Sequence, residues 1–552
     1  MRKWLLAVFF FLILCLPPPA SASYATIVIP LRAREYWQDF AKPKLLLDYL
    51  KKENLPATVL LTYASLEDPE VVAYLKKSPN FELGIFLEVD EKLATDSLVS
   101  YNFGNFDKAS ANQILFSGYA VEGRMRMIDR IMAQFSKSFG FRLESAGSWY
   151  IDGLSIKYLA EEYEIKNLMD VADQFETDTY GVWGKPWGVP YYPSKYNPLM
   201  PADSREESLG LVTVQWAARD PLRGYGLKVD SSTYSLQAND YLSHHRLETA
   251  YFRHLLTSYL DGDNSARQVT VGLEAGQEGV SFFTEFQKQV AELKKRQEEK
   301  NLSFTSMSEY GNIFRKANPH FSTATEIHAS DFTDKTKIGW WFNFPQYRVY
   351  FEFNEGKLDI RDLRQYRPFL FNDMVQADRR PVLKRIIPGC IDDLSENNGM
   401  TISDNIKNVS LNKEADNFIL ELEKKGRLKD QIIIRPDAIR FNSREIFRTG
   451  SQSLPLAKRI FYDIFLDYQT GKQSALTPSI VFSQLAGVNY LGLAANNGRF
   501  TGFKSAYPYF GSVSFPFQVL SKFKSLSLNK FIDVFLTNLV NSNIHCKINS
   551  RL

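Results

Sequence analysis

The chain has 552 residues, too many for one ordinary hydrophobic core, so two or three domains are expected. Its 44% hydrophobic and 23% charged content is that of a folded protein, and a net charge of +3 offers no basic surplus for nucleic acid. Aromatic residues reach 14%, with 41 Phe and 28 Tyr, which favours surfaces that stack on ligands.

Residues 1–22 read as an export signal. Arg2 and Lys3 precede the apolar run WLLAVFFFLILCL (4–16), and Ala20-Ser21-Ala22 fits a cleavage site. Thirteen apolar residues are short for a membrane span; left uncleaved, they would act as an N-terminal anchor. Export predicts a periplasmic, extracellular or cell-surface location. Cleavage leaves Cys390 and Cys546, which exclude a disulfide framework and leave one bridge open.

From residue 26 the chain alternates. TIVIPL (26–31), ATVLLTY (57–63), FELGIFLEV (81–89), LESAGSWYID (143–152), IKNLMDVAD (165–173), LGLVTVQWA (209–217) and QVTVGLE (268–274) read as seven strands. Helical spacing fits 41–52, 69–77, 120–138, 154–163, 246–260 and 280–299. The strands are continuous apolar runs, the mark of a parallel sheet covered by helices. After about residue 330 the pattern turns to short strands, with YRVYFEF (347–353), NEG and KLDIRDL (357–363) as a hairpin, followed by 382–388, 417–425 and 431–441. The expected fold is α/β: an irregular seven-stranded (β/α) barrel over 23–328, then an all-β, sandwich-like domain over 329–450. A β-rich or mixed extension covers 451–552.

In such barrels chemistry gathers where strands end. The residues there include Arg32, Arg34, Glu88, Trp149, Asp152, Asp173, Arg219, Asp220 and Glu274. The loop YGVWGKPWGVPYYPSKYN (180–197) adds Trp183, Trp187, Tyr191 and Tyr192 among glycines and prolines. Sugar C–H faces stack on aromatic rings, and paired carboxyls perform acid/base work on a glycosidic bond. Asp152 and Glu274 are therefore the candidate catalytic pair, as nucleophile or base and general acid. Glu88, Trp149, Asp173, Trp183, Trp187, Tyr191, Tyr192, Arg219 and Asp220 are candidate substrate-binding residues. The polar segment QWAARDPLRGYG (215–226) with STYSLQANDY (232–241) is long for a loop between strand and helix. Six histidines show no HxxxH or HExxH spacing, and no GxSxG or phosphate-cradling glycine loop occurs. No metal and no cofactor are expected.

The order of elements resembles the glycoside hydrolase/deacetylase barrels, which include family 57 glycoside hydrolases and polysaccharide deacetylases. Trp149-Tyr150-Ile151-Asp152 resembles the family 57 segment of Trp, two residues and a nucleophilic Glu, with Asp in its place. LEAGQEG (273–279) is similar to the later segment carrying an acid/base Asp, here Glu274, and Glu88 resembles an early strand-end Glu. The family 57 early histidine motif is missing. PLRAR (30–34) stands where deacetylases carry a TFDD-type metal motif. The resemblance implies a carbohydrate polymer or oligosaccharide as partner and glycosidic-bond hydrolysis or transfer as the reaction. A non-catalytic glycan-binding or envelope protein is the alternative, and a metal-dependent deacetylase the third reading.

Overall fold

The computed structural model describes residues 23–449 apart from 33–35, 104–109, 196, 228, 262–266, 301, 320–323, 367–374, 378–381, 388, 395–396, 425 and 427–428, and beyond them the strands at 479–485, 488–494 and 511–514. The expected export signal lies outside the described residues, as does most of the 451–552 extension. The three strands there form an antiparallel sheet.

Seven parallel strands close a barrel: β1 (Ser23–Leu31), β2 (Ala57–Leu61), β3 (Phe81–Phe86), β4 (Ser145–Gly147), β5 (Asn167–Val171), β6 (Val212–Trp216) and β7 (Gln268–Val271). β7 returns to β1 through Tyr24↔Gln268 to Ile27↔Val271. Its other edge meets β6 only at Trp216↔Thr270, which makes the barrel irregular. The strands are apolar throughout because both faces are covered, one by the barrel interior and one by helices. The helix Val121–Phe139 shows the complementary pattern, with Met127, Ile128, Ile131 and Phe135 buried along one stripe and Gly140 closing it in the left-handed region. An additional strand, Leu302–Thr305, pairs with the first half of β1, below β2.

β4 is much shorter than the sequence pattern predicts. After Gly147 the chain leaves the sheet, and Asp152 caps the helix Gly153–Tyr163 by accepting from the Leu154 and Ser155 amides.

The following region is all-β. One antiparallel sheet runs Thr325–Ser330, Ile338–Asn343, Tyr347–Asn354, Lys357–Gln365, Ile391–Asp392, and a second runs from Ile406–Glu414 through Asn417–Lys424, Lys429–Ile434 and Ala438–Phe441 to Arg444–Arg448. Alternation in Asn417–Lys424 turns Phe418, Leu420 and Leu422 inward. They share a core with Phe342, Val349 and Phe351 of the first sheet, so the two sheets pack as a sandwich. Cys390, beside this sheet, is disulfide-bonded.

The sandwich is joined to the barrel by a buried ion network. Arg348 donates through Nη1 to Asp173 at 2.5 Å and through Nε and Nη2 to Asp362 at 2.9 and 3.1 Å. Arg364 continues it to Asp362 and Asp392. Around Arg348 sits an aromatic stack: Trp187 on Trp341 at 4.0 Å and 3°, then Trp341 on Tyr350 at 4.4 Å and 8°. Trp183 and Trp187 are 0% and 1% exposed. The expectation of a sugar platform at these two rings is therefore corrected: they form the core between barrel and sandwich, because Trp341 and Arg348 come from the second domain to cover them.

Arg348→Met is expected to cost about 3–5 kcal/mol of unfolding free energy, because it leaves Asp173 buried without its cation and Asp362 with Arg364 alone. Trp187→Ala should cost about 3–5 kcal/mol through the cavity it opens. Urea denaturation of both variants checks this, and wild-type stability in either would return that residue to the surface.

Candidate active site at the barrel mouth

Parallel strands deliver their last side chains to one rim, and there the barrel opens into a cavity of about 670 Å³. Its walls carry Arg32 and Tyr36 after β1, Trp149 after β4, Gln174 after β5 and Trp216 at the end of β6. The hairpin joining Gln174–Thr177 to Tyr180–Trp183 adds Asp178 and Tyr180; Asp178 and Thr179 both have positive φ, as a tight two-residue turn requires. Arg219, Gln237, Asn239 and Asp240 come from the long polar segment after β6, and Glu274 and Glu278 from the segment after β7.

Arg32 is the electrostatic centre. Its Nε donates to both oxygens of Glu88 at 3.0 and 3.1 Å, its Nη2 also reaches Glu88, and its Nη1 donates to Glu274 Oε2 at 2.9 Å. The Tyr36 ring lies 3.8 Å from its Cζ and the Trp149 ring 5.7 Å. Trp149 in turn packs 5.8 Å from Trp216.

Glu278 lies beside this pair. Its Oε1 accepts from the Glu274 backbone amide at 3.0 Å and from Gln237 Nε2 at 3.1 Å, and its Oε2 accepts from Asn239 Nδ2 at 3.0 Å. Burial, and then the charge of Glu274, hold its carboxyl well above the usual carboxylate range despite those donors. Asp240 opens a π-helical turn and accepts from Ser235 Oγ at 2.6 Å. Burial pushes its carboxyl up to about 6 against the opposing pull of Arg219.

Of the residues expected from sequence, Glu274, Trp149 and Arg219 line this cavity. Arg219 is buried and held by Gln174 at 2.5 Å and by Asp240 at 3.4 Å, so it shapes the wall. Glu88 sits behind Arg32 and fixes it. The other expectations are corrected. Asp152 is 1% exposed, caps its helix, binds Ser155 Oγ at 2.7 Å and pairs with Arg124 at 3.0 Å; it is not among the cavity-lining residues and does not meet Glu274 there. Asp173 is consumed by Arg348 and the amides of Gly184 and Lys185. That contact uses Gly184 at φ +107°, where a Cβ would lie 2.7 Å from Ile387. Asp220 is buried, accepting from the Leu222 and Arg223 amides and the Tyr251 hydroxyl. Tyr191 and Tyr192 are buried, their hydroxyls bound to the carbonyls of Pro198 and Asn318.

Sequence reasoning missed Glu278, Asp240, Tyr36, Tyr180 and Trp216 as lining residues. Glu278 had a signal, lying four residues after Glu274 in LEAGQEG. Asp240 lay within the polar segment already singled out, whereas Tyr36 carried none.

The metal that a deacetylase likeness implies does not fit. Among the described residues no group of three or more His, Cys, Asp and Glu side chains is placed to hold a metal ion. His245 stacks on Tyr234 at 3.5 Å and bonds Thr233 at 2.8 Å through Nε2.

A model of a domain of unknown function with solved structure, DUF3863, matches residues 112–327. No curated protein matches the chain. Among solved structures, a candidate glycoside hydrolase/deacetylase from Parabacteroides distasonis is similar at 15% identity and a TM-score of 0.50, covering 67% of this chain and 92% of that one. A candidate polysaccharide deacetylase from Mycobacterium smegmatis, at 13% identity and TM-score 0.31, covers 55% of this chain and 93% of its own. The peptidoglycan deacetylase PdaC from Bacillus subtilis, at 11% and 0.27, covers 55% and 97%. The first of these shows that the chain shares the fold of a glycoside hydrolase/deacetylase barrel protein.

Folding raises the Asp240 carboxyl from its ordinary 3.8 to about 6. Its contribution to stability is therefore complete below about pH 4 and lost as pH rises through about 6. Relative to Asp240→Asn, the wild type should lose up to about 3 kcal/mol across that window. Unfolding free energies measured at several pH values check this; a pH-independent difference would show that Asp240 titrates normally.

Proposed function

We propose that the chain is an exported hydrolase that cleaves glycosidic bonds in a carbohydrate polymer, with Glu278 as proton donor and Glu274 as its carboxylate partner. The carrying observation is that two carboxyls four residues apart share the cavity wall in unlike settings. Glu274 is paired with a guanidinium, and Glu278 is half-buried among neutral donors. Such a split is what assigns acid and base roles to two carboxyls. Cleavage through an oxocarbenium-like transition state needs one group to protonate the leaving oxygen and one carboxylate to meet the developing positive charge or activate water. Trp149, Trp216, Tyr180 and Tyr36 supply aromatic surface in the same cavity for sugar rings.

This reading moves the donor role from Glu274 to Glu278 and gives Asp152 none. Of the family 57 likeness it keeps the LEAGQEG segment and sets aside Trp149–Asp152 as a catalytic motif. The name of the Parabacteroides relative, glycoside hydrolase/deacetylase, supports carbohydrate as the substrate class. Glycosidic cleavage is favoured over metal-dependent deacetylation because the nearest carboxylates, Glu88 and Glu274, are engaged by Arg32. Export rests on the pattern of residues 1–22.

On a panel of polysaccharides, Glu278→Gln and Glu274→Gln should each lower turnover about 10²–10⁴-fold while leaving glycan binding nearly unchanged. Full activity in either variant removes that residue from the mechanism. Binding without turnover by the wild type on every glycan would favour the non-catalytic glycan-binding alternative. For export, N-terminal sequencing of the secreted chain should begin at Ser23, and a soluble cytosolic form that keeps Met1 would contradict it.

A further inference from the structure

The deacetylase likeness implies a divalent cation near the end of β1, and the described residues there do not provide for one. They provide a different cation. Glu88 and Glu274 converge on the guanidinium of Arg32, whose neighbouring Tyr36 ring lies 3.8 Å from Cζ. We propose that Arg32 is the resident cation of the cavity, standing in place of a metal, and that its remaining N–H donors bind an oxygen of the sugar substrate.

The donor count supports the second half. A guanidinium carries five N–H groups and cannot be deprotonated in a protein. Nε, one hydrogen of Nη2 and one of Nη1 are spent on Glu88 and Glu274. One hydrogen on each terminal nitrogen remains, and Arg32 lines the cavity. The charge count supports the first half. A divalent ion entering between Glu88 and Glu274 would have to displace a cation fastened at both ends, and it would find no imidazole or thiolate beside them among the described residues. Because the guanidinium is anchored before substrate arrives, little ordering is left to be done on binding.

The inference rests on the proposed reaction site, but its first test does not use turnover. After incubation with Zn²⁺, Co²⁺ or Mn²⁺ and desalting, the full chain should retain no stoichiometric metal, and its melting temperature should not move. One retained equivalent with a raised melting temperature would overturn the proposal. Arg32→Met, which leaves Glu88 and Glu274 without their shared cation, should melt lower than wild type at neutral pH. An unchanged melting temperature would mean that the two carboxylates do not depend on Arg32. If that variant does not fold, Arg32→Lys keeps the charge and loses the fork. It should still exclude metal but bind the glycan product or substrate found in the polysaccharide screen at least about tenfold more weakly, the scale of one charged hydrogen bond. Equal affinity would overturn the substrate contact. A wild type that binds no glycan would sink the cavity reading and the substrate contact together, while the metal result would stand separately.

Discussion

The contact on which the site depends is the ion pair between Arg348 and Asp173. Both side chains are essentially inaccessible, at 0% and 1% exposure, and Arg348 is the cation that makes the buried charge of Asp173 tolerable. Asp173 follows β5 and binds the amides of Gly184 and Lys185, and Arg348 also donates to the Lys185 carbonyl at 2.5 Å. One guanidinium from the sandwich thus fixes both ends of the excursion from Asp173 to Lys185. That excursion carries Gln174, Asp178 and Tyr180 into the cavity wall. The strand Val382–Ile386 pairs in parallel with Tyr180–Trp183 and holds the same hairpin from its other side. The sandwich is therefore part of what shapes the barrel mouth, although none of its described residues lines the cavity.

The seven barrel strands were legible because strands covered on both faces must be apolar throughout, and the sandwich was legible through its short strands and the NEG turn at 354–356. The misreadings have one common cause. Residues 148–152 look like the end of a strand, yet Asp152 before Gly153-Leu154-Ser155 is also a helix cap, and the cap is what the chain uses. The aromatic loop looks exposed because its glycines and prolines exclude regular structure. Its cover, Trp341, Arg348 and Tyr350, lies more than 150 positions further on, where no local pattern connects it to Trp183 or Trp187. Aromatic-rich loops with no visible partner read alike whether they face a ligand or another domain.

Carboxylates gave the opposite lesson. Of those at the strand ends, Asp152, Asp173 and Asp220 accept backbone amides at turns or helix starts, the local role short acidic side chains favour. The longer Glu274 and Glu278 reach the cavity. One methylene separates side chains that complete the backbone from side chains that reach past it, and at this rim the division follows side-chain length except at Asp178 and Asp240, which a hairpin turn and a π-turn carry to the cavity, and at Glu88, which anchors Arg32.

How two neighbouring glutamates come to differ follows from their donors. Glu274 takes a full positive charge from Arg32. Glu278 takes only neutral donors, and their orientation is fixed from behind. The Trp216 indole N–H donates to Gln237 Oε1 at 3.0 Å, which turns the amide nitrogen of Gln237 toward Glu278. Neutral donors offset part of the burial cost of a charge without cancelling the repulsion from Glu274, so the Glu278 carboxyl is held above the usual carboxylate range. Trp216 belongs to β6, Arg32 follows β1, and the two glutamates follow β7. The asymmetry is thus carried by three barrel strands, two of them, β1 and β6, being the neighbours of β7. Between β6 and β7 the barrel is joined by the single Trp216↔Thr270 pairing, and the Trp216–Gln237–Glu278 chain of hydrogen bonds crosses that same seam.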